Sequence, residues 1–110
     1  MGIQVVIQQA GPLPINVNFN AIGDMPMILQ VSGSVWSQKE GNMIGIGIKL
    51  DGNAIGSAQI WSNGTATHRA VVPAYIPIQL TQGQHTLSLF TNTPGTVSDL
   101  NDLYTAVINY

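Results

Sequence analysis

Alternation of apolar residues with small or polar ones, at a period of two, recurs along the chain and constrains its fold more than any other feature. It is clearest from Met43 to Leu50, where Ile44, Ile46 and Ile48 fall on one side of an extended segment. Successive side chains of a β-strand point to opposite faces, so this pattern predicts a strand with one buried face. Because no stretch of useful length repeats the helical three-and-four spacing, the chain is predicted to be all-β.

The other side of this strand carries Gly45 and Gly47, which indicates a bulge or the close approach of another layer. Asp51-Gly52 comes next and readily takes the positive φ angles of a two-residue hairpin turn. Ser62–Thr65, which contains Asn-Gly, predicts a second turn of this kind. We therefore expect three consecutive antiparallel strands here.

Nine strands are predicted in all, each bounded by Gly, Pro, Asn or Asp. They are Ile3–Gln8, Ile15–Phe19, Met27–Trp36, Met43–Leu50, Ala54–Trp61, Ala66–Val72, Tyr75–Leu80, His85–Phe90 and Leu103–Tyr110. Pro77 lies inside one of them and predicts an edge strand or an irregular one, since proline has no backbone N–H to donate to a neighbouring strand. About 8–10 short strands predict a two-sheet antiparallel sandwich of jelly-roll type, forming one domain over residues 1–110.

Charged side chains are unusually scarce. Three basic and five acidic residues make up 7% of the chain and leave a net charge of −2, against roughly 25% charged residues in ordinary soluble domains. Lys39, Lys49 and Arg69 lie far apart, so no basic stripe favours nucleic acid or an anionic membrane. No window approaches the ~20 apolar residues of a membrane span.

The chain nevertheless has enough apolar residues, 45%, to bury a core. Its surface must then be covered by Asn, Gln, Ser, Thr and Gly, or hidden against copies of itself in a homo-oligomer. The absence of cysteine excludes disulfides and thiolate metal sites. The N-terminus lacks the pattern of a signal peptide, so the compartment stays open, including an extracellular or particle-associated one reached by another export route.

The densest polar segment is Ser98–Tyr104, written SDLNDLY. Asp99, Asn101 and Asp102 offer three oxygen ligands of the kind that calcium takes. The alternative is structural: Asp99 and Asn101 form an Asx turn while Asp102 opens the last strand. The same three residues, followed by TAVINY, resemble the C-terminal Asp-x-Asn-Asp segment of bacterial calcium-dependent fucose-binding lectins. That resemblance implies a calcium-dependent lectin.

Four other residues are candidates for contact with a ligand. Trp61 ends a predicted strand beside a turn that contains Asn63, a position suited to stacking on a sugar ring, although strand aromatics also pack in cores and interfaces. His68 and Arg69 are adjacent, and Arg69 has the chemistry to hold a carboxylate or a sugar hydroxyl, or to pair with an acid of the protein itself. Neither His68 nor His85 has a second histidine at ligand spacing, so we expect hydrogen-bonded histidines.

No nucleophile motif occurs, and no acid is near either histidine in sequence, so the chain is predicted not to be an enzyme. Gln79–Leu89, followed by a polar loop and a last strand with Tyr104 and Tyr110, resembles tumour necrosis factor-like jelly rolls, which include complement-type globular heads and their bacterial and phage relatives. That resemblance implies a homotrimer with aromatic side chains along its threefold axis.

Three hypotheses follow. The first is a non-catalytic, homotrimeric binding module for a surface glycan or protein, with no cofactor. The second is a calcium-dependent lectin with the cation at Asp99, Asn101 and Asp102. The third is a purely structural component of a larger particle or appendage.

Overall fold

The computed structural model describes residues 2–110, in which nine strands are joined by turns and loops. The strands are β1 (Ile3–Ala10), β2 (Ile15–Ala21), β3 (Met25–Val35), β4 (Asn42–Leu50), β5 (Asn53–Ser62), β6 (Arg69–Ala70), β7 (Ala74–Leu80), β8 (Gly83–Thr91) and β9 (Leu103–Asn109). Across these residues, none belongs to a helix able to cross a membrane.

Two antiparallel sheets form a sandwich, which confirms the predicted fold class. The first sheet has the order β1-β9-β3, and β3 then pairs with β7 along Met25–Val31 and with β6 along Ser34–Val35. The second sheet has the order β2-β8-β4-β5. Because β7 pairs only with β3, it is the edge strand that Pro77 predicts.

The core lies between the sheets and is built from the inward-facing residues of nearly every strand. On β4 these are Ile44, Ile46 and Ile48, each 0% exposed, as the alternation predicts. Tyr104 of β9 is among the largest side chains buried there. The buried apolar residues are Ile7, Ile15, Phe19, Ala21, Met27, Leu29, Val31, Val35, Ile44, Ile46, Ile48, Ala58, Val71, Ile78, Leu80, Leu87, Leu89, Tyr104, Ala106 and Ile108.

The predicted strand Ala66–Val72 is wrong in length and in partner. Only Arg69–Ala70 is extended, and it pairs with β3 of the other sheet instead of returning along β5. Ala66 has a φ of 53° and donates its backbone N–H to the Ser37 carbonyl, so the chain after β5 turns away towards the β3–β4 loop. As a result His68 lies in a loop, not in a strand.

The glycines of β4 allow close approach, but by side chains and backbone of the neighbouring strands β5 and β8 and not by another layer. A Cβ on Gly47 would overlap the Phe90 ring of the neighbouring strand, and one on Gly45 would lie 2.7 Å from the Ala58 carbonyl oxygen. The turn that follows β4 has positive φ at both Asp51 and Gly52, in agreement with a two-residue hairpin.

The acidic residues Asp24, Glu40, Asp51, Asp99 and Asp102 all lie outside the strands, in loops at the two ends of the sandwich. One end, called here the His68 end, gathers the β1–β2, β3–β4, β5–β6 and β8–β9 loops. The other, the His85 end, gathers the β2–β3, β4–β5 and β7–β8 turns. Both faces of the sandwich are therefore left with very little charge.

Gly33 offers a test of the packing between the sheets. Added at this position, a Cβ would overlap the Tyr104 ring and lie 2.9 Å from the Leu103 carbonyl oxygen, which cannot move freely. We expect Gly33→Ala to lower the free energy of unfolding by about 1–3 kcal/mol in urea titrations. Gly23→Ala is the matched control, because its new Cβ meets only the flexible end of Met25. Equal losses in the two variants would contradict this account.

Candidate functional site

The carboxylate of Asp102 organises the His68 end. It is 0% exposed, and its Oδ1 accepts hydrogen bonds from the Ser34 hydroxyl at 2.8 Å and from His68 Nδ1 at 2.6 Å. Its Oδ2 accepts the backbone N–H of Asp99 at 2.9 Å. The Asp102 carbonyl accepts the Gly11 N–H at 2.8 Å. One residue thus joins β3 and three loops, and the donors compensate the cost of burying its charge.

Ser34, His68 and Asp102 contain the residue types of a hydrolytic triad but not its arrangement. In a triad the histidine lies between serine and aspartate, so that the imidazole can take the hydroxyl proton. Here the aspartate lies between the other two, and Ser34 donates its proton to the carboxylate directly. This geometry holds a loop in place and does not activate a nucleophile.

The segment Asp99–Asp102 forms the predicted Asx turn. Asp99 Oδ1 accepts the backbone N–H of Asn101 at 2.9 Å, and Asp102 N–H is 3.2 Å from the Asp99 carbonyl. Asn101 is exposed, whereas ligand atoms of His68, Asp99 and Asp102 lie within 4.8 Å of one another. Among acidic and histidine side chains, His68 therefore joins Asp99 and Asp102 in a group with suitable spacing for a cation.

His68 is held between carboxylates. Its Nδ1 bonds to Asp102, and its Nε2 lies 3.9 Å from Asp99 Oδ2, with 38% of the side chain exposed. The hydrogen bond to Asp102 raises the pKa of His68 above its ordinary value, and the charges of both acids act in the same direction. The ring also packs against Trp36, with centroids 5.8 Å apart.

A second histidine–aspartate pair occupies the His85 end. His85 Nδ1 bonds to Asp51 Oδ2 at 2.6 Å, while Nε2 bonds to the Thr81 carbonyl at 2.7 Å. Since both ring nitrogens face acceptors, only the doubly protonated imidazole donates to both. These bonds raise the pKa of His85 and, from the other side, the bond from His85 lowers the pKa of Asp51. The pair clamps the β4–β5 turn to β8.

The outward surface of the four-stranded sheet, called here the amide face, carries mostly uncharged polar side chains, with one lysine and three apolar or aromatic side chains among them. Strand register and exposure place Asn16, Asn18, Asn20, Met43, Lys49, Ser57, Gln59, Trp61, Gln84, Thr86, Ser88 and Phe90 on it. The Thr86 hydroxyl donates to Asn18 Oδ1 at 2.7 Å, which fixes that amide with its N–H groups free to face a ligand.

The four predicted ligand residues do not form one site. Trp61 lies on the amide face, 49% exposed, beside Met43 on the neighbouring strand, and Asn63 follows it in an exposed loop. His68 belongs to the Asp102 cluster instead. Arg69, half-buried on β6, has no salt bridge within 4.0 Å among residues 2–110, so the predicted pairing with an acid is not made there.

Sequence reasoning missed Ser34, Trp36 and Asp51, which lie 68, 32 and 34 positions from their partners. No local pattern marks such long-range pairs. The amide face, in contrast, could have been recognised from the alternation of asparagine with apolar residues along Ile15–Ala21, which puts the asparagines on one side of a strand.

Comparisons with known proteins agree at the level of the fold. A family 35 carbohydrate-binding module from Clostridium thermocellum superimposes with a TM-score of 0.55 at 16% identity, covering 96% of this chain and 86% of that one. Latent PorU from Porphyromonas gingivalis gives 0.56 at 13% identity, and the exo-β-1,3-galactanase of Phanerochaete chrysosporium gives 0.53 at 8%.

The PorU match spans 96% of this chain but only 11% of PorU, and the galactanase match spans 86% of this chain but only 20% of the galactanase. No family model matches the sequence, and no curated protein does. The jelly-roll level of the predicted resemblance is therefore confirmed, while these neighbours give no support to a tumour necrosis factor-like assignment.

Removing the charge of Asp102 is predicted to destabilise the His68 end. In Asp102→Asn the NH₂ group of the new amide would face a donor whose hydrogen bond the carboxylate now accepts, which leaves that donor without an acceptor. The free energy of unfolding should therefore fall by about 2–4 kcal/mol in urea titrations. Asp99→Asn is the matched control, since its amide oxygen still accepts the Asn101 N–H at an exposed position. A loss for Asp102→Asn no larger than the control's would refute the role given to this carboxylate.

The Asp51–His85 pair is predicted to make stability depend on pH in two directions. His85 contributes fully below its ordinary pKa of 6.5, and the contribution disappears as pH rises through the raised value. Asp51 contributes above its ordinary 3.8, and its contribution disappears as pH falls through the lowered value.

The pair should therefore stabilise the fold most between those two ordinary values. Asp51→Asn, which keeps an acceptor for the Thr86 N–H, should return the His85 pKa measured by NMR towards its ordinary value without moving that of His68. An unchanged His85 titration in this variant would disprove the coupling.

Proposed function

We propose that this chain is a single-domain, non-catalytic glycan-binding module whose ligand lies across the amide face. The observation that carries the proposal is Trp61, a half-exposed indole on a sheet face whose other side chains are mostly uncharged hydrogen-bonding ones. The likeness of the fold to a family 35 carbohydrate-binding module supports it, since that protein's ligand class matches the chemistry of this face.

A pyranose ring presents hydroxyls around its edge and C–H groups on its flat sides. Asn and Gln amides match the hydroxyls because each can donate and accept, and the asparagines of β2 repeat every second residue along the strand, about 7 Å apart. An exposed indole matches the C–H face. Contacts of this kind, repeated along an extended chain, give useful affinity even when each one is weak.

The ligand is proposed to be neutral. Lys49 is the only charged residue on the amide face. Its ammonium group lies 5.0 Å from the centre of the Phe90 ring and makes a cation–π interaction with it. A polyanionic glycan would therefore gain little here, and binding of a neutral one should change little with salt.

The absence of catalysis is part of the proposal. The two histidines are each fixed by an aspartate, and the Ser34 hydroxyl bonds to Asp102 and not to an imidazole. The Thr81 hydroxyl lies 3.5 Å from His85 Nε2, but that nitrogen already bonds to the Thr81 carbonyl at 2.7 Å. Homo-oligomerisation is also kept as a proposal. Tyr104 is 0% exposed inside the chain's own core, so it would not line the threefold axis that the sequence resemblance implied. A structural role within a particle, or a protein ligand, would leave the amide face without sugar affinity.

A calcium-dependent lectin is the second candidate, favoured by the proximity of His68, Asp99 and Asp102. Three donors already occupy the Asp102 oxygens, and calcium takes six to eight oxygen ligands, so a cation would have to displace the hydrogen bonds that hold this end together. This candidate differs from the first in requiring a cation for sugar binding.

Affinity electrophoresis in gels containing neutral polysaccharides, such as xylan, β-glucan or galactan, tests the proposal. Retardation by at least one of them is expected, and Trp61→Ala should weaken it about fivefold or more, since truncating a tryptophan at the centre of a contact costs more than about 1 kcal/mol. Ile22→Ala is the matched control: this apolar side chain is 48% exposed in the β2–β3 turn, outside both sheet faces, and should leave retardation unchanged.

Addition of a chelator separates the two candidates. Unchanged retardation is expected for a glycan on the amide face, and its loss would favour the cation site at Asp99 and Asp102. No retardation by any neutral glycan, or equal effects of Trp61→Ala and Ile22→Ala, would overturn the proposal.

A further inference from the structure

The outward surface of β1, β9, β3 and β7 contrasts with the amide face, because these four strands contain no charged residue and no histidine. Strand register places its members in rows across the sheet. We call this surface the apolar face. It consists of Ile3, Val5, Gln8, Ala10, Pro26, Ile28, Gln30, Ser32, Tyr75, Pro77, Gln79, Leu103, Thr105, Val107 and Asn109.

Half of the exposed large apolar side chains of residues 2–110 lie on the apolar face. They are Ile3 (67% exposed), Val5 (56%), Ile28 (39%), Tyr75 (63%) and Leu103 (64%). A groove of about 550 Å³, lined by Ile3, Pro26, Ile28, Pro77 and Tyr110 among others, runs along one end of this face. Contiguous apolar patches of this kind are rare on monomeric soluble proteins and mark interaction sites.

We propose that the apolar face binds a second copy of this chain, sheet against sheet. In a twofold interface each patch meets the same patch of its partner, so any charge near the axis would face a like charge. A face without a single charged side chain meets this condition over its full extent. The outward side chains can interdigitate at the ~10 Å spacing of stacked sheets.

The dimensions of the face favour a reversible dimer. Four strands about 4.8 Å apart, paired over about seven residues of about 3.4 Å each, cover on the order of 450 Å² in projection. Standard interfaces bury about 800 Å² per partner, so this one belongs to the small class and should depend on protein concentration. Because a flat face that pairs with itself is used up by one partner, the assembly closes at two copies and not three.

Other occupants fit the apolar face less well. A membrane surface would need a basic rim, and Arg69, on β6 beside the end of β3, is the one lysine or arginine in the strands of this sheet. A dimer of this kind also leaves both amide faces pointing outwards on opposite sides, which would make the module bivalent for the proposed glycan. Dimerisation through the apolar face does not require glycan binding to the amide face.

Sedimentation velocity over a wide range of protein concentration is the test. The wild-type mass is expected to rise towards two protomers. Val5→Lys on β1 and, independently, Tyr75→Lys on β7 should weaken dimerisation at least about tenfold, since each places a charge in an apolar contact. Asn18→Lys adds the same charge at an exposed strand position of the amide face and should dimerise like the wild type. Cooperative thermal unfolding checks that each variant is folded.

A wild type that stays monomeric at every concentration, or a stable mass of three protomers, would overturn the inference. A dimer that survives both Val5→Lys and Tyr75→Lys would overturn it too, because the contact would then lie elsewhere. Failure of the proposed function gives a different pattern: Trp61→Ala should remain dimeric whether or not any glycan is retained.

Discussion

The buried carboxylate of Asp102 is the constraint on which the His68 end depends. A fully enclosed charge is tolerable only when donors surround it, and here Ser34, His68 and the backbone of Asp99 supply them from three separate segments. Each segment is thereby fixed relative to the others, although none of the loops contains regular structure. The same bonds explain why residue types associated with catalysis or metal binding meet here in an arrangement that serves packing.

The removal of charge from the strands determines the rest of the surface. With the acids in loops, and Lys49 and Arg69 the only charged residues in any strand of residues 2–110, each sheet presents an outward face selected for contacts other than ion pairs. One face is rich in amides and carries Trp61; the other is apolar. The two proposals together account for the low charge content, because binding of a neutral ligand and binding of a second copy are both weakened by charge on the face concerned.

Local sequence signals predicted most strands, because period-two alternation and turn dipeptides depend only on near neighbours. The β4–β5 hairpin and the buried Ile44–Ile48 side follow from them directly. The same reasoning failed for Ala66–Val72. Alternation was present there, but Ala66 takes a positive φ and the only extended part of the segment pairs with β3. For the candidate site, Asp99, Asp102, His68 and Trp61 were identified as residues of interest, but not their grouping, since that depends on which loops meet at one end.

By itself the sequence determined an all-β sandwich of low charge with a polar C-terminal turn, because these follow from side-chain type and short spacing. Only the tertiary structure decided that His68 belongs with Asp102 and Ser34, that His85 belongs with Asp51, and that Trp61 shares a face with the asparagines of β2. The reason is topological. Antiparallel strands distant in the chain become neighbours through sheet order and register, which depend on the packing of the whole core and not on any local segment.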